Sequence, residues 1–199
     1  MKTIRYFFFV ALGSVLMAAD CSNKDSEFYN DVYLVAPDLI SIETLPSYTV
    51  GDKLFLDSDN FSQYLNEPGQ ATPLDVYATT GGADRFDFTY MLEKKAEDGS
   101  WGLVTLGPNL DKSAGITIET DLFVQGFCLY NPLTQHYDFR NGLTLASAGE
   151  YRLSFGYNST SATSVELRSN SVNNNLFLNI DSPNPDLNSS GYYLFTVTE

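Results

Sequence analysis

The sequence feature that most constrains the fold is the alternation of apolar and polar residues over Arg85–Lys95, which reads RFDFTYMLEKK. Phe86, Phe88, Tyr90 and Leu92 fall on one face of an extended chain, and mostly polar side chains fall on the other. A period of two marks a β-strand that is buried on one face only. The segment therefore predicts a long strand with one face in a hydrophobic core.

A turn and a second apolar segment follow this strand directly. Residues Glu97–Ser100 read EDGS, and Gly99 supplies the left-handed backbone conformation that tight turns need. Trp101–Leu106 (WGLVTL) then returns as the antiparallel partner. The sequence therefore predicts a β-hairpin, with Trp101 half-buried at the start of its second strand.

Short apolar segments separated by Gly, Pro and Asn continue along the rest of the chain, among them Leu74–Thr79, which we also predict as a strand. The sequence has no convincing internal repeat and no long amphipathic helical pattern. Strands of this length and spacing favour an antiparallel sandwich or barrel over a parallel α/β sheet. Aromatic residues make up 14% of the chain, enough apolar surface to offset the entropy of ordering it. We expect one all-β domain over residues 30–199.

Residues Ala148–Leu153 (AGEYRL) resemble the E–F corner of immunoglobulin-like domains. In that corner a tyrosine hydroxyl bonds back to the backbone a few residues upstream, and the residue two positions later points into the core. The resemblance implies these structural roles for Tyr151 and Leu153, with Gly149 at the start of the strand. It also implies an immunoglobulin-like antiparallel β-sandwich. An ordinary strand that begins at a glycine is the alternative.

The chain begins with a pattern typical of export signals. Lys2 and Arg5 precede fourteen uncharged residues, YFFFVALGSVLMAA, at positions 6–19. A basic start, a short apolar stretch and small residues at its end describe a secretory signal peptide. About 20 apolar residues are needed to span a bilayer, so a permanent membrane helix is the less favoured interpretation. We expect residues 1–20 to be a cleaved signal peptide.

Residues 16–21 (LMAADC) resemble the lipobox of bacterial lipoproteins, in which the cysteine is lipidated and becomes the first residue of the mature chain. Two alanines match the small residues of that motif, whereas Asp20 and the early position of Leu16 depart from it. The resemblance implies a lipid on Cys21. Secretion without a lipid and an uncleaved anchor are the alternatives.

The segment after Cys21 extends this resemblance. Residues 22–27 (SNKDSE) form a short polar spacer similar to the tethers of lipoproteins of the Bacteroidota, and Tyr48–Leu56 (YTVGDKLFL) is similar to an early strand of their exported β-sandwich domains. The resemblance implies a tether over residues 21–29. It also implies an outer-membrane protein that is lipid-anchored at the cell surface or on the periplasmic face, where several acyl chains would hold it firmly.

The charge of the chain excludes one class of partner. The chain carries 25 acidic and 11 basic residues, a net charge of −14, and its pI is near 4.2. Binding to nucleic acid needs a basic surface that neutralises phosphates, and the sequence has no such cluster. An acidic surface is also repelled by anionic headgroups, so the attachment to a membrane would come from the lipid on Cys21.

Few residues are available for catalysis or for a cofactor. The chain has one histidine, His136, and one cysteine besides Cys21, namely Cys128. Zinc needs about three or four His, Cys or carboxylate ligands, and the sequence has neither a G-x-S-x-G elbow nor a nucleotide-binding glycine loop. The sequence therefore predicts no cofactor and no catalytic residue. A carboxylate pair of the kind that glycoside hydrolases use stays open.

Calcium is the metal that the composition favours, because calcium binds oxygen ligands. Asp57 and Asp59 belong to one dense group of oxygen-bearing side chains, and Asp181 and Asp186 belong to another. Neither group matches the EF-hand loop, and Asp and Asn in loops most often stabilise turns. These four residues are the calcium candidates, but turn roles are favoured and the sequence predicts no metal site.

The aromatic residues leave a binding role open. Trp101 and the many tyrosines suit a platform on which a sugar ring stacks, although a half-buried hairpin position is the favoured explanation of Trp101. We expect an exported, lipid-anchored, non-catalytic envelope protein that binds a glycan or another envelope protein through its loops. The alternatives are an envelope hydrolase with a carboxylate pair and a structural assembly component, such as a surface-fibre subunit that adds a strand to its neighbour.

Overall fold

Strands follow one another along almost all of the chain that the structure describes. The computed structural model covers residues 30–107, 110–157, 161–171 and 176–199. The strands are β1 (Asn30–Val35), β2 (Ser41–Glu43), β3 (Tyr48–Thr49), β4 (Lys53–Asp57), β5 (Tyr64–Leu65), β6 (Leu74–Asp75), β7 (Arg85–Lys95), β8 (Trp101–Leu103), β9 (Leu110–Ala114), β10 (Ile116–Glu119), β11 (Val124–Asn131), β12 (His136–Asp138), β13 (Arg140–Thr144), β14 (Gly149–Ser154), β15 (Ser164–Asn170), β16 (Leu176–Pro183) and β17 (Tyr193–Thr198). A short helix, α1 (Val76–Thr79), lies between β6 and β7. The predicted all-β class is confirmed.

Residues 1–29 lie outside the described part of the chain. The expected signal peptide (residues 1–20), the tether (residues 21–29) and the lipidation site Cys21 all fall there, so they stay predictions. Among the residues that are described, no helix has the length and apolar character needed to cross a membrane.

The strands form one large sheet and two smaller ones. The large sheet has eleven strands, of which β1, β16, β15, β7, β14, β17 and β3 are joined in that order. In the same sheet, β8 and β11 also pair with β7, and β10 and β12 pair with β11. The second sheet has four strands in the order β2, β4, β13, β9, and β5 pairs with β6. The described registers are antiparallel except that of β17 with β3.

Strand β7 is the centre of the large sheet, and it exchanges partners halfway along. Its first half pairs with β11 and with β15, and its second half pairs with β14 and with β8. The pairing with β8 is the hairpin predicted from the sequence, with Glu93 opposite Leu103 and Lys95 opposite Trp101. The second strand of this hairpin ends at Leu103 rather than at Leu106.

One hydrophobic cluster contains the inward side chains of both larger sheets. Phe86, Phe88, Tyr90 and Leu92 of β7 are at most 2% exposed, which confirms the buried face predicted from the alternation. They share this core with the buried leucines of β4 and β13. Fully burying a side chain of this size stabilises the fold by about 1.5–3 kcal/mol. The four buried side chains therefore favour a central position of β7 in the sheet.

The structure corrects one predicted strand. Of Leu74–Thr79, only Leu74–Asp75 is a strand, and Val76–Thr79 is helical. The side chain of Asp75 accepts a hydrogen bond from the backbone N–H of Ala78 at 2.9 Å, as the N-cap residue of a helix does. This local cap outweighs the apolar character that suggested a longer strand.

Tyr151 ties the start of β14 to the loop before it. Its hydroxyl donates a hydrogen bond to the backbone oxygen of Ser147 at 2.7 Å, and the residue is 3% exposed. Gly149 has a φ of +146°, a backbone conformation that favours glycine. Leu153 is fully buried in the core. The three residues that the sequence singles out as structural therefore lie on one strand, and Tyr151 anchors it.

Candidate functional site

A cavity opens where β7 exchanges partners. The pairing of β14 with β7 ends at Met91, and the pairing of β15 with β7 ends at Asp87. Neither strand pairs with Thr89, and a cavity of about 270 Å³ lies beside it. We name it the β7 cavity. Its lining residues are Asp87, Phe88, Thr89, Gln125, Phe155, Glu166 and Arg168.

A second cavity, of about 390 Å³, lies beside the edge strand β1, and we name it the β1 cavity. Its lining residues are Tyr33, Leu34, Val35, Glu67, Glu166, Asn179, Ile180 and Asp181. Tyr33 is 75% exposed. Glu166 lines both cavities. We name the two cavities together the Glu166 face.

The alternation along β15 turns Glu166 towards these cavities. Val165 and Leu167 are fully buried in the core, so Glu166 and Arg168 project from the opposite side of the sheet. Sequence reasoning missed this strand. Its residues read SVELRSN, and the period-two pattern of V-E-L-R was the signal for it. That pattern is short, because serine precedes it and serine and asparagine follow it.

Two carboxylates lie directly opposite each other on this face. Glu166 on β15 is the cross-strand partner of Asp181 on β16. Like charges in directly opposite positions destabilise a sheet, by a few tenths of a kcal/mol to about 1 kcal/mol. In the other described registers, an acidic residue that lies opposite a charged residue lies opposite an arginine: Asp57 is opposite Arg140, Glu93 is opposite Arg152 and Asp87 is opposite Arg168.

Arg168, the arginine closest to this carboxylate pair along β15, is engaged elsewhere. Its guanidinium lies 4.4 Å from the centre of the Phe177 ring and 3.6 Å from a carboxylate oxygen of Asp31. Within the described residues, the ion pairs include neither Glu166 nor Asp181. Among the described residues, no base in direct contact therefore neutralises the negative charge of the pair.

Asp87 is a further carboxylate on the β7 cavity. Its side chain is 24% exposed, and one of its oxygens lies 3.5 Å from Nε of Arg85, whose guanidinium covers the ring of Phe127 at 5.2 Å. Burial raises the pKa of Asp87, and the positive charge of Arg85 offsets that effect only in part. A hydrogen-bond donor brought into the cavity would therefore stabilise the ionised form.

Glu166 and Asp87 each have one buried oxygen that makes no hydrogen bond to a described residue. These are Oε2 of Glu166 and Oδ1 of Asp87, but Oδ1 of Asp87 is the oxygen that forms the ion pair with Nε of Arg85. Buried polar atoms are nearly always hydrogen-bonded, so an exception calls for a solvent molecule or a ligand.

Trp101 lies on the other half of the large sheet, where the protein's own residues cover it. The guanidinium of Arg152 lies 4.5 Å from the centre of the Trp101 ring and 4.2 Å from the centre of the Tyr192 ring. Glu93 accepts two hydrogen bonds from the same guanidinium, at 2.7 and 2.9 Å. Trp101 is thus a partly buried hairpin residue, and it does not line the Glu166 face.

The first pair of calcium candidates holds a turn and an ion pair. Asp57 is 4% exposed, and its carboxylate accepts a hydrogen bond from Arg140 at 2.6 Å and another from the backbone N–H of Asp59 at 2.6 Å. The negative charge of Asp57 raises the pKa of Asp59. Among the residues described, His, Cys, Asp and Glu side chains form no group of three or more that suits a metal ion.

The second pair of calcium candidates, Asp181 and Asp186, lies in two different parts of the structure. Asp181 lies on the Glu166 face, whereas Asp186 follows β16 in a turn, where its N–H donates to Oδ1 of Asn184 at 2.9 Å. Burial raises the pKa of Asp38, and the charge of Asp186 adds to that effect. The structure therefore gives Asp186 a local turn contact and places only Asp181 beside a cavity.

The remaining candidates for nucleophilic chemistry are Cys128 and His136. Cys128 on β11 is fully buried, and burial raises the pKa of its thiol well above the ordinary value. A thiol in this state stays protonated and is a poor nucleophile. His136, on β12, is partly buried, and its backbone bridges to Ser62.

Comparisons with known proteins add no relative. No protein-family model, curated protein or solved structure matches the chain.

Proposed function

We propose that this chain is an exported, lipid-anchored protein of the bacterial cell envelope that binds a glycan or another envelope protein without catalysis. Its anchor is a lipid on Cys21, which holds it on the outer membrane at the cell surface or on the periplasmic face. The resemblance of residues 16–27 to the lipoproteins of the Bacteroidota supports the anchor and the location. The fold proposed with it is an immunoglobulin-like sandwich, supported by the hydrogen bond from Tyr151 to Ser147.

The observation that carries the binding role is the pair of cavities that share Glu166. Ligand sites in proteins are concave and combine apolar walls with a few polar groups. The β7 cavity combines Phe88 and Phe155 with Thr89, Gln125 and carboxylates, and the β1 cavity has an exposed tyrosine beside amide and carboxylate groups. This proposal moves the binding site from the loops, where the sequence suggested it, to one face of the large sheet.

The size of the cavities supports a ligand that places one of its parts in each cavity. The volume of the β1 cavity, about 390 Å³, lies at the lower end of the range for small-molecule sites, which is about 300–1,000 Å³, and the volume of the β7 cavity, about 270 Å³, lies just below that range. Each cavity suits one sugar ring or one side chain. An oligosaccharide or an extended peptide that passes over Glu166 would therefore occupy both.

The binding role is tested with the full-length protein purified in detergent. A panel of envelope glycans and a crosslinking pull-down from native cells identify the ligand, and isothermal titration calorimetry measures its affinity. We expect Tyr33→Ala to weaken binding at least about tenfold, because it removes the exposed aromatic side chain of the β1 cavity. Trp101→Ala is the matched control and leaves the affinity unchanged. The reverse pattern, or cleavage of the bound glycan detected by chromatography, contradicts the proposal.

A further inference from the structure

We infer that the outward face of the second half of the large sheet is an interface between two copies of this chain. Four strands form this face, and they lie side by side in the order β8, β7, β14 and β17. The residues named below differ from those that line the Glu166 face. An interface between copies is therefore independent of the proposed function and goes beyond it.

One row of side chains crosses all four strands on this face. Glu93 on β7 lies opposite Leu103 on β8 and, on its other side, opposite Arg152 on β14. Arg152 in turn lies opposite Leu194 on β17. Leu92, which precedes Glu93 on β7, is buried in the core, so this row points away from the core. The order across the face is leucine, acid, base and leucine.

A second row crosses the same strands with the two charges exchanged. Lys95 on β7 lies opposite Trp101 on β8 and forms an ion pair with Glu150 on β14 at 2.6 Å. Glu150 in turn lies opposite Thr196 on β17. The two acids and two bases of these rows cancel, whereas the whole chain has a net charge of −14. Two copies that repel each other through their acidic surfaces therefore meet no net charge at these two rows.

The order of charges in both rows is complementary to itself. Two sheets that pack face to face keep their strands roughly aligned, and two identical copies are related by a two-fold axis. An axis that runs along the strands between β7 and β14 places Glu93 over Arg152 of the second copy and Lys95 over Glu150 of the second copy. Each contact occurs twice, and every charge meets an opposite charge. This pattern favours a second copy over a foreign protein, which would have to match it independently.

The same axis brings the two edges of the face together. It places β8 of one copy over β17 of the other, so that Leu103 meets Leu194 of the second copy. Leu103 is 45% exposed and Leu194 is 57% exposed, although the solvated face of an antiparallel sheet is usually polar. Contact between these two leucines would remove apolar surface from water at both edges.

The centre of the face is already ordered in the single chain. The rings of Trp101 and Tyr192 lie on the guanidinium of Arg152, at 4.5 and 4.2 Å from it. Tryptophan, tyrosine and arginine are enriched among the residues that contribute most to binding at interfaces. Side chains that are fixed before association also lose little entropy when the copies meet.

The size of the face predicts a weak dimer. Strands β14 and β17 have six residues each, and neighbouring strands lie about 4.8 Å apart, so the face measures about 20 Å in both directions. Two such faces bury roughly 1,000 Å² in total, below the range of stable complexes, which is about 1,200–2,000 Å². We therefore expect a dissociation constant of about 10–100 μM.

Paired cysteine variants test the arrangement in the full-length protein. Leu103→Cys protein is mixed with Leu194→Cys protein in detergent and oxidised, and non-reducing electrophoresis measures the cross-linked dimer. We expect at least about tenfold more dimer from the mixture than from either variant alone. The axis keeps the two copies of position 103 about 14 Å or more apart, and a disulfide bridges Cα atoms at most about 7 Å apart. The wild type, with its native cysteines, gives the background.

A charged substitution tests the affinity between the copies. Sedimentation equilibrium of the full-length protein in density-matched detergent measures the dissociation constant. We expect Leu194→Glu to weaken the dimer at least about tenfold, because it removes an apolar contact and adds a charge at the interface. Leu133→Glu is the control, because Leu133 is 94% exposed and precedes β12, outside this face, and it adds the same charge. An equal loss in both variants overturns the interface, because it indicates general repulsion between acidic chains.

The other outcomes are equally decisive. A protein that stays monomeric up to about 1 mM overturns the interface. A dimer that Leu194→Glu leaves intact does the same, as does cross-linking of Leu103→Cys alone that equals that of the mixture, because both place the contact elsewhere. Cross-linking of position 103 to a different protein in native membranes, without cross-links between copies, assigns the face to that protein and also overturns it. The test of the proposed function by Tyr33→Ala is separate, because it measures ligand binding on the Glu166 face.

Discussion

The hydroxyl of Tyr151 donates a hydrogen bond to the backbone oxygen of Ser147, four residues earlier, at 2.7 Å. The Tyr151 ring also stacks on Phe195 of β17, with ring centres 5.5 Å apart. One side chain therefore fastens the loop before β14 to the strand and the strand to its neighbour. The hydrogen bond to Ser147 is local in sequence, whereas the stacking on Phe195 depends on a strand more than forty residues away.

We expect Tyr151→Phe to destabilise the folded state by about 1 kcal/mol, the typical cost of losing one hydrogen bond to a partly buried carbonyl. The ring and its stacking stay, so the hydroxyl is the only change. Urea denaturation measures the effect as a lower midpoint at an unchanged slope. Tyr33→Phe is the control, because the side chain of Tyr33 is 75% exposed and its hydroxyl reaches water. Equal midpoints for the two variants would refute the structural role of the Tyr151 hydroxyl.

Glu166→Gln is expected to raise the free energy of unfolding by a few tenths of a kcal/mol. The substitution removes the repulsion from Asp181, which solvent screens in part. Glu93→Gln makes the same change where Glu93 accepts two hydrogen bonds from Arg152, and it should lower stability by about 1–3 kcal/mol. Chemical denaturation at low salt compares the two. A destabilised Glu166→Gln variant would show that Glu166 has a structural partner in the folded protein.

Asp87→Asn should stabilise the protein at neutral pH and have no such advantage in acid. Burial raises the pKa of Asp87 in the folded state, so the folded chain favours the protonated carboxyl. That preference adds stability below the pKa of an unfolded aspartate, about 3.9, and the stability is lost as the pH rises through the folded pKa. The charges around the carboxyl are those of Arg85, Asp84 and Arg168. Urea midpoints of the wild type and the variant between pH 3 and pH 7 measure the effect, and the difference should grow with pH.

Asp98→Asn provides a control of opposite sign for that experiment. Hydrogen bonds from Ser100 lower the pKa of Asp98, so its ionised form is favoured in the folded state. The stability from this group is present above the unfolded pKa and is lost as the pH falls. Asp98→Asn is therefore expected to be less stable than the wild type at neutral pH. If the urea midpoints of both variants, relative to the wild type, change with pH in the same direction, the burial of Asp87 is not the cause of the effect of Asp87→Asn.

Cys21→Ala is expected to move the protein from the detergent phase to the aqueous phase in a detergent partition experiment. Each buried methylene of an acyl chain contributes about 0.8 kcal/mol to membrane binding, and the acidic chain has no comparable attraction to lipid. Cys128→Ala, which removes the other cysteine of the chain, should leave the partition unchanged. Retention of Cys21→Ala in the detergent phase would exclude the lipid as the anchor.

The sequence predicted the elements whose determinants are local. The hairpin of β7 and β8 follows from an alternating strand and a glycine turn within about twenty residues, and the structure confirms it. The prediction of a strand over Leu74–Thr79 is wrong for a reason that is also local, because the side chain of Asp75 caps a helical turn. Strand β15 was missed because only Val165 and Leu167 carry its apolar period, and polar residues surround them.

The sequence by itself determined which residues of each alternating strand face outward, because side chains on a strand alternate with a period of two. The glutamate at position 166, between Val165 and Leu167, had to point away from the core once that segment was extended. The N-terminal resemblance to lipoproteins likewise depends on the sequence alone.

Only the tertiary structure decided which of these outward residues are neighbours. Asp87 and Arg168 face each other across 81 positions of sequence, and Glu166 faces Asp181 in a register that the sequence did not predict. Strand order and register are set by the burial of the shared core, which selects among many pairings that suit each strand equally well. The opposition of two carboxylates beside two cavities is therefore a property of the fold, and a one-residue slip in register would abolish it.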